Sequence, residues 1–273
     1  MLCHPARARP ARRAGAHRPV PTPPTLGRPA GLALILVLLL NPAGTVSASR
    51  PHGAPGLMEP SPDPLLVSYY ETFLRDQDPD AFCARVQARY TEGTLGRLAR
   101  SGDAAARRAA VFALGLFGGI ASNAAVAGAL RDADPVVRDL ATSALWAIWF
   151  RADSPENNAT LKQVAALIAR RRLDDAEALA TRLIDRAPAF AEAYNQRAIA
   201  RYLQGRFADS EADCRRALER NPYHIGALSG LGGCYLRLDR RPEALATYRR
   251  ALKLQPHNDD LRQTVATLEA EVE

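Results

Sequence analysis

The chain has 273 residues, of which 47% are apolar, which is enough for one or two domains with a hydrophobic core. Its formal net charge of +7 comes largely from residues 1–48, which hold six arginines and no carboxylate. Removing those six from the 36 basic residues leaves 30, against 29 acidic residues. A nearly neutral body lacks the basic surface that binds a phosphate backbone, so we predict no nucleic-acid partner.

Residues 1–48 have the pattern of an export signal. An arginine-rich start precedes the apolar run 31–40, and a small-residue cleavage site follows at Val46, Ser47 and Ala48. Ten helical residues reach about 15 Å, against about 30 Å of bilayer hydrocarbon, so a transmembrane span is the weaker interpretation. We predict export to the periplasm or envelope of a bacterial-type cell, with membrane contact only if the segment stays uncleaved. An uncleaved anchor, or a translation start at Met58 that leaves the protein cytoplasmic, remains open.

Residues 49–63 are predicted to form a linker. They contain four prolines in fifteen residues. Proline fixes the backbone angle φ and removes a hydrogen-bond donor, so no regular element is expected there. The segment is predicted to act as a semi-stiff spacer before the folded body.

Residues 64–152 are predicted to be helical and contain a short internal repeat. Six positions recur at one constant offset, namely Arg100, Asp103, Arg107, Ala110, Ala113 and Leu114, which reappear as Arg131, Asp134, Arg138, Ala141, Ala144 and Leu145. Asp134 followed by proline predicts a capped helix start. Gly118 and Gly119 predict a helix end with positive backbone angles. Each unit is therefore expected to hold a pair of helices.

The segment Leu130–Arg138, with the alanines and leucine that follow it, resembles HEAT-like repeats. That resemblance implies an α-solenoid in which aspartate and arginine side chains form a ladder between neighbouring repeats. We expect Arg107 and Arg138 to be structural and to pair with Asp103 and Asp134.

Residues 151–155 separate this part from the next and are short, so we expect the two parts to share one continuous core. Trp146, Trp149 and Phe150 lie just before this hinge. At helical spacing such residues more often fill a junction core than line a binding cleft.

Residues 157–256 contain a longer pattern that occurs three times. Pro188, Pro222 and Pro256 mark its period, and the positions before each proline agree in character. Small residues recur at Ala176, Ser210 and Ala244, and apolar residues recur at Leu183, Ala217 and Ala251. The period of about 34 residues is typical of stacked helical hairpins.

These units resemble tetratricopeptide repeats. The second matches best, with Tyr194 and Ala198 in its first helix, a turn at Gly205, and Ala217 before Pro222; Gly232 takes the close-approach position in the third. After Pro256, a stripe of Leu261, Val265, Leu268 and Val272 predicts a capping helix. The sequence thus predicts an all-α, right-handed α-solenoid of helical hairpins, with HEAT-like repeats over 64–152, three tetratricopeptide repeats over 157–256 and a capping helix over 257–273.

Residues with catalytic or metal-binding chemistry are sparse. Beyond the linker the histidines are His224 and His257, each following a repeat proline. No metalloprotease, nucleophile-elbow or paired-cysteine motif occurs. Cys214 and Cys234 fall on helices that should pack together, so a bridge is conceivable, although two buried apolar thiols are the commoner outcome. We predict no catalytic residue, no metal site and no cofactor.

The resemblance to tetratricopeptide repeats implies a concave groove, lined by the first helix of each hairpin, that takes an extended peptide or a partner helix. By register, the groove is predicted to present Glu192, Asn195, Ile199, Tyr202, Ser229, Leu236 and Arg237. Ordinary solvated helix positions are the alternative interpretation of these side chains.

The function predicted from these observations is a non-catalytic scaffold that holds a protein or peptide partner at the cell envelope. One alternative is an accessory or regulatory subunit of an envelope enzyme complex. A more remote alternative, implied by the HEAT-like resemblance, is a lyase. An acid–base group in a pocket at the junction near Trp146 would favour an active role, and exposed apolar side chains in the groove would favour peptide binding.

Overall fold

The structure is a computed structural model that describes residues 64–272; the predicted signal segment and linker lie outside this range. Over these residues the fold is all-α, as predicted, with thirteen α-helices, one 3₁₀ turn at Ile120–Ser122 and no strand. The helices are α1 (Pro64–Asp76), α2 (Pro79–Gln87), α3 (Glu92–Leu98), α4 (Ala104–Phe117), α5 (Asn123–Ala129), α6 (Pro135–Phe150), α7 (Pro155–Ala169), α8 (Leu173–Arg186), α9 (Ala191–Leu203), α10 (Phe207–Arg220), α11 (Ile225–Arg237), α12 (Arg241–Leu254) and α13 (Asp259–Val272).

Several helices begin at side chains that accept hydrogen bonds from free backbone amides. Asp103 accepts from the Ala105 amide before α4, and Asp134 accepts from the Val136 amide before α6. Proline occupies the first turn of α6, as it also does in α2 and α7. These caps replace the hydrogen bonds that the first turn of a helix lacks, which is why the sequence marks these boundaries clearly.

The helix end at α4 differs from the prediction. Gly118 has a φ of −64° and Gly119 a φ of −92°, so the expectation of positive backbone angles is wrong. A Cβ atom on Gly118 would lie 2.6 Å from the carbonyl oxygen of Leu114. Glycine is therefore required here by the close approach of the chain to the last turn of α4.

The predicted arginine pairs of the shorter, N-terminal repeat also differ. Arg107 pairs with Asp132 of the next unit at 2.7 Å, and Arg108 pairs with Asp134 at 2.6 Å. Arg138 donates instead to the carbonyl oxygens of Asp132 and Ala133. The ion pairs thus join neighbouring units instead of lying within one unit, because the capping aspartates accept from the first turn of their own helices while Arg107 reaches across to Asp132.

The C-terminal half is a stack of three hairpins, α7–α8, α9–α10 and α11–α12, followed by α13. Each helix packs against the next along the chain, and the first helices of neighbouring hairpins also touch, α7 with α9 and α9 with α11. This arrangement places the first helices on one side of the stack and the second helices on the other. It is the solenoid that the sequence predicts.

The three turns inside these hairpins share one backbone geometry. Arg171, Gly205 and Asp239 occupy the same position of successive repeats and have positive φ values of 61°, 81° and 58°. In each hairpin the next amide donates to the carbonyl five residues earlier, at 2.8–2.9 Å. The repeat therefore includes a residue with left-handed backbone conformation in each turn. That residue is a glycine only in the second of the three hairpins.

The hydrophobic core consists of two main clusters that meet between the halves, where one continuous core was expected. One cluster gathers most of the buried residues of α1–α6, and the other gathers most of those of α7–α13, with a small third cluster between α7, α8 and α9. Ile225 belongs to the first cluster although it opens α11, and Phe150 of α6 packs against the second. The halves thus exchange side chains across their junction.

The last helix covers the end of the stack. Leu261, Val265 and Leu268 are buried, while Asp260 and Arg262 are exposed. The Val272 side chain lies outside the described part of the structure. The buried and exposed sides of α13 are those predicted for a capping helix.

Candidate functional site

Two tryptophans of α6 lie against the start of α11. The Trp149 ring stacks on the His224 ring with centroids 4.2 Å apart, and Trp146 meets the same ring edge-on at 5.8 Å. A Cβ atom on Gly226 would lie 2.6 Å from the Trp146 ring, so only glycine fits beneath it. Trp149 is 1% exposed, and Trp146 and Phe150 are partly buried and pack against the two clusters, so the prediction that these aromatic residues fill a junction core is confirmed.

A buried polar network lies beneath this aromatic stack. The His224 ring nitrogen Nε2 is 2.6 Å from a carboxylate oxygen of Glu192, and Nδ1 accepts from the Ala227 amide. Both bonds are satisfied together when the proton is on Nε2. The other Glu192 oxygen accepts from the side-chain amides of Asn195 and Gln196.

A second chain of hydrogen bonds joins the two halves of the molecule. The Trp149 indole N–H donates to the side-chain oxygen of Asn123 at 2.8 Å, and the Asn123 amide donates to the Asn221 oxygen at 2.8 Å. Asn123 and Asn221 are 7% and 2% exposed. The strength of hydrogen bonds between buried polar groups depends on their geometry. These two bonds therefore fix how the N-terminal half lies on the repeats.

Two of the seven predicted groove residues are therefore misplaced. Glu192 and Asn195 are 1% and 2% exposed and hold the junction together, so neither can contact a partner. The tryptophans of α6 pack on His224, and His224 pairs with Glu192 beneath them. The repeat period could not reveal this, because it describes the stack alone; the paired tryptophans before the hinge were the available signal.

The other five predicted groove residues remain accessible to solvent. Ile199, Tyr202, Ser229 and Leu236 are partly exposed, and Arg237 is exposed. They lie on α9 and α11, the neighbouring first helices of the second and third hairpins. We call these five residues the open face.

An aromatic and cationic cluster borders the open face. The Tyr202 ring packs edge-to-face on Phe207 at 5.2 Å, and the Arg237 guanidinium lies 4.3 Å from the centre of the Phe207 ring. Burial raises the pKa of the Tyr202 hydroxyl, and the neighbouring Arg237 charge, which acts to lower it, does not offset this. Among the described residues Arg237 forms no ion pair, so its charge is available to a ligand.

Sequence reasoning missed a charged network inside the second hairpin. Arg197 makes two hydrogen bonds of 2.8 Å to Asp213, and Arg201 links Asp213 to Glu177 at 2.8 Å each. Burial lowers the Arg197 pKa, but the hydrogen bonds and charge of Asp213 outweigh it and the pKa is raised. The signal was a break in the period, since the third hairpin has apolar side chains at the positions of both arginines.

The two cysteines of the repeats are free thiols. Cys214 and Cys234 are 1% and 0% exposed, and the Cys234 thiol donates to the Ser210 hydroxyl at 3.2 Å. The hydrogen bond with Cys234, together with burial, holds the pKa of the Cys214 thiol well above its usual range. The two thiols are therefore interior packing residues in this structure.

An acid–base pair does occur at the junction, but it is closed to solvent. The Glu192 and His224 side chains are both 0% exposed. Within residues 64–272 no group of three or more side chains has the composition of a metal site. No helix in that range is long and apolar enough to cross a membrane. The sealed pair serves the junction, because a catalytic pair must reach a substrate.

The comparisons with known proteins concern the repeats. Residues 190–257 match the family model of the tetratricopeptide repeat. Similar solved structures include the first such domain of Spaghetti (RPAP3) bound to an HSP90 peptide, with 24% identity over 44% of this chain and 95% of that chain and a TM-score of 0.42. The Sgt2 domain from Aspergillus fumigatus has 22% identity over 44% and 82%, with a TM-score of 0.42.

A thermophilic tetratricopeptide repeat protein from Thermus thermophilus covers more of the chain, with 21% identity over 76% of this chain and 96% of that one and a TM-score of 0.34. No curated protein sequence matches the chain. The family model spans the second and third hairpins, the two that carry the open face. The resemblance to tetratricopeptide repeats is therefore confirmed over residues 190–257.

Proposed function

We propose that this protein is a non-catalytic interaction scaffold that binds a peptide segment or helix of a partner protein across the open face. The observation that carries the proposal is the accessibility of Tyr202, Leu236 and Arg237 on adjacent first helices, beside the junction that the tryptophans of α6 fill. Tyrosine and arginine are the residue types that most often anchor protein interfaces. The partner segment is expected to place an apolar side chain against Tyr202 and Leu236 and an acidic group against Arg237.

Charge and packing support a short segment as the ligand. The Phe207 ring holds the Arg237 guanidinium in place, which reduces the conformational entropy lost on binding. The neighbouring Arg206 is already paired with Glu177 and Asp209, so Arg237 is the cation that remains available beside Tyr202. Arg237 is therefore expected to bind one acidic group of the ligand, and the rest of the ligand is expected to make uncharged contacts.

The test is a peptide-display selection on the immobilised full-length chain, followed by fluorescence anisotropy of the selected peptides. Arg237→Glu is expected to lower the affinity by about 10-fold or more, since it places like charges opposite one another. Arg250→Glu is the matched control, because Arg250 is also exposed but lies on α12. Equal loss in both variants, or no loss with Arg237→Glu, contradicts binding at the open face.

We also propose that the protein acts after export to the cell envelope. The apolar run and the small-residue site ending at Ala48 support this. Cell fractionation of a chain tagged at its C-terminus, with N-terminal sequencing of the product, tests it. A mature chain that begins at Ser49 in the envelope fraction is expected, whereas a cytoplasmic chain that begins at Met58 contradicts export.

A further inference from the structure

A cavity of about 210 Å³ lies in the N-terminal half, between α1, α4 and α6. Three aromatic rings, Tyr70, Phe73 and Phe112, form one side of it, and their centroids are 4.6–6.4 Å apart. The remaining wall is mostly aliphatic. It includes Leu74, Val136, Asp139 and Ser143.

The mouth of this cavity is apolar. Four large apolar side chains are exposed among the described residues, and two of them, Leu74 at 50% and Val136 at 40%, belong to the cavity wall. None of the four lies in the tetratricopeptide repeats. Exposed apolar side chains beside a concave surface are typical of a ligand site.

One wall residue carries a polar group that has no partner. Ser143 is 5% exposed, and its hydroxyl makes no hydrogen bond within the described structure. The preceding residue, Thr142, donates to the Arg138 carbonyl one turn earlier, as helical hydroxyls commonly do. Buried hydroxyl groups are normally hydrogen-bonded, so this one departs from the rule at the wall of a cavity.

Size and charge limit what can fill the space. An engineered cavity of about 150 Å³ holds one benzene molecule, so this cavity has room for a single substituted ring. The charged wall residue is Asp139, which is exposed and forms no ion pair among the described residues. Its carboxylate disfavours an anionic ligand.

We propose that this cavity binds a small neutral aromatic molecule that carries one hydrogen-bonding group, which meets the Ser143 hydroxyl. The hydroxyl is closed to solvent in this structure, so binding requires the serine side chain to rotate about χ1 toward the ligand. The aromatic rings of Tyr70, Phe73 and Phe112 pack against the ring of the ligand. The proposal concerns a different surface from the open face and does not rest on the proposed scaffold function.

The experiment is saturation-transfer NMR on the full-length chain with three probes: p-cresol, toluene and benzoate. Transfer to p-cresol is expected to exceed transfer to toluene, and benzoate is expected to show little. Ser143→Ala is expected to weaken p-cresol binding by about 3- to 10-fold, the value of one hydrogen bond, and to leave toluene binding unchanged. The variant removes an unpartnered buried hydroxyl, so its thermal stability is expected to be equal or higher.

Two exposed positions supply matched controls for the location of the site. Leu74→Trp places a bulky ring at the mouth and is expected to abolish p-cresol transfer. Ile120→Trp makes the same kind of change at a residue that is 52% exposed and outside the cavity wall, and it is expected to change nothing. The proposal is overturned if the native chain shows no transfer to p-cresol, if Leu74→Trp binds as well as the native chain, if Ser143→Ala leaves p-cresol binding unchanged, or if benzoate binds as well as p-cresol.

Discussion

The second and third hairpins have the same helical architecture, but the side chains between their helices differ: those of the second hairpin are charged and those of the third are apolar. Arg197 and Arg201 on α9 occupy the repeat positions that Leu231 and Tyr235 occupy on α11. The arginines pair with the buried Asp213, and Arg201 also pairs with Glu177, whereas the apolar pair packs in the main core of the repeats. A repeat period thus predicts where side chains lie but not their chemistry. Either a network of ion pairs or an apolar cluster can fill the equivalent interior positions of a hairpin.

Removing the shared acid of this network is expected to have the largest effect. Asp213→Ala leaves two arginines without their buried partner, so the free energy of unfolding is expected to fall by about 3–5 kcal/mol. Urea unfolding followed by circular dichroism measures this. Replacing the network with the residues of the third hairpin, by Arg197→Leu, Arg201→Tyr and Asp213→Thr together, is expected to be nearly neutral or stabilising. If the triple variant loses as much as Asp213→Ala, the two interiors are not interchangeable.

The next largest effect is expected where the paired helices approach most closely. A Cβ atom on Gly232 would lie 2.6–2.9 Å from the Tyr248 ring, so Gly232→Ala is expected to cost about 1–3 kcal/mol through overpacking. The equivalent residue in the second hairpin is Ala198, and Ala198→Gly is expected to cost about 1 kcal/mol through lost helix propensity. Exchanging glycine and alanine is therefore expected to lower the free energy of unfolding at both positions. Urea unfolding of the two variants measures this. A stabilised Gly232→Ala variant contradicts the close packing on Tyr248.

Low pH is expected to lower the stability of both halves because it protonates the ion-paired carboxylates Asp132 and Glu177. Burial raises the pKa of Asp132, but the hydrogen bonds from Arg107 outweigh it, and the pKa lies below its ordinary value of 3.8. The pKa of Glu177 is lowered below 4.5 in the same way by Arg201. A lowered pKa in the folded state stabilises the fold above the ordinary value, and this contribution disappears as pH falls through the folded value.

The stability difference between the native chain and Asp132→Asn is therefore expected to shrink as pH falls below about 4. Urea unfolding at a series of pH values measures it. Glu177→Gln provides the same comparison in the repeats. A difference that stays constant down to strongly acid pH contradicts the ion-pair assignment.

The smallest effect is expected at the left-handed turns. Arg171 has a φ of 61° where glycine is the favoured residue, so Arg171→Gly is expected to stabilise the chain by about 0.5–1 kcal/mol. Gly205→Ala is expected to destabilise it by about 1 kcal/mol or more for the same reason. Asp239→Gly is expected to gain less, because Asp239 also pairs with Arg241. Thermal unfolding of the three variants measures the order, and a loss with Arg171→Gly contradicts it.

Much of the fold was predictable because it depends on local chemistry and on a period. The capping aspartates Asp103 and Asp134 mark helix starts by their own hydrogen bonds, and the regularly spaced prolines mark the hairpins. The small residue at Gly232 predicted close helix packing, which the Tyr248 ring explains. These features need no knowledge of distant parts of the chain.

What the sequence could not predict depends on how distant parts meet. The burial of Glu192 requires that Trp149 and His224, which belong to different halves of the molecule, be stacked on one another. The partner of Arg107 depends on the register between neighbouring units, which places a carboxylate oxygen of Asp132 2.7 Å from the Arg107 guanidinium. The cavity wall combines α1 with α4 and α6, a combination that no sequence spacing encodes.

Ile225 makes the repeats depend on the N-terminal half of the molecule. Together with Tyr223 and Leu254, this repeat residue completes the core of the N-terminal half. If the repeats were separated from the N-terminal half at the hinge, these apolar side chains would lose the residues that bury them. The two halves of the chain are therefore not independent modules, and moving either half into another protein requires the matching surface to be moved with it.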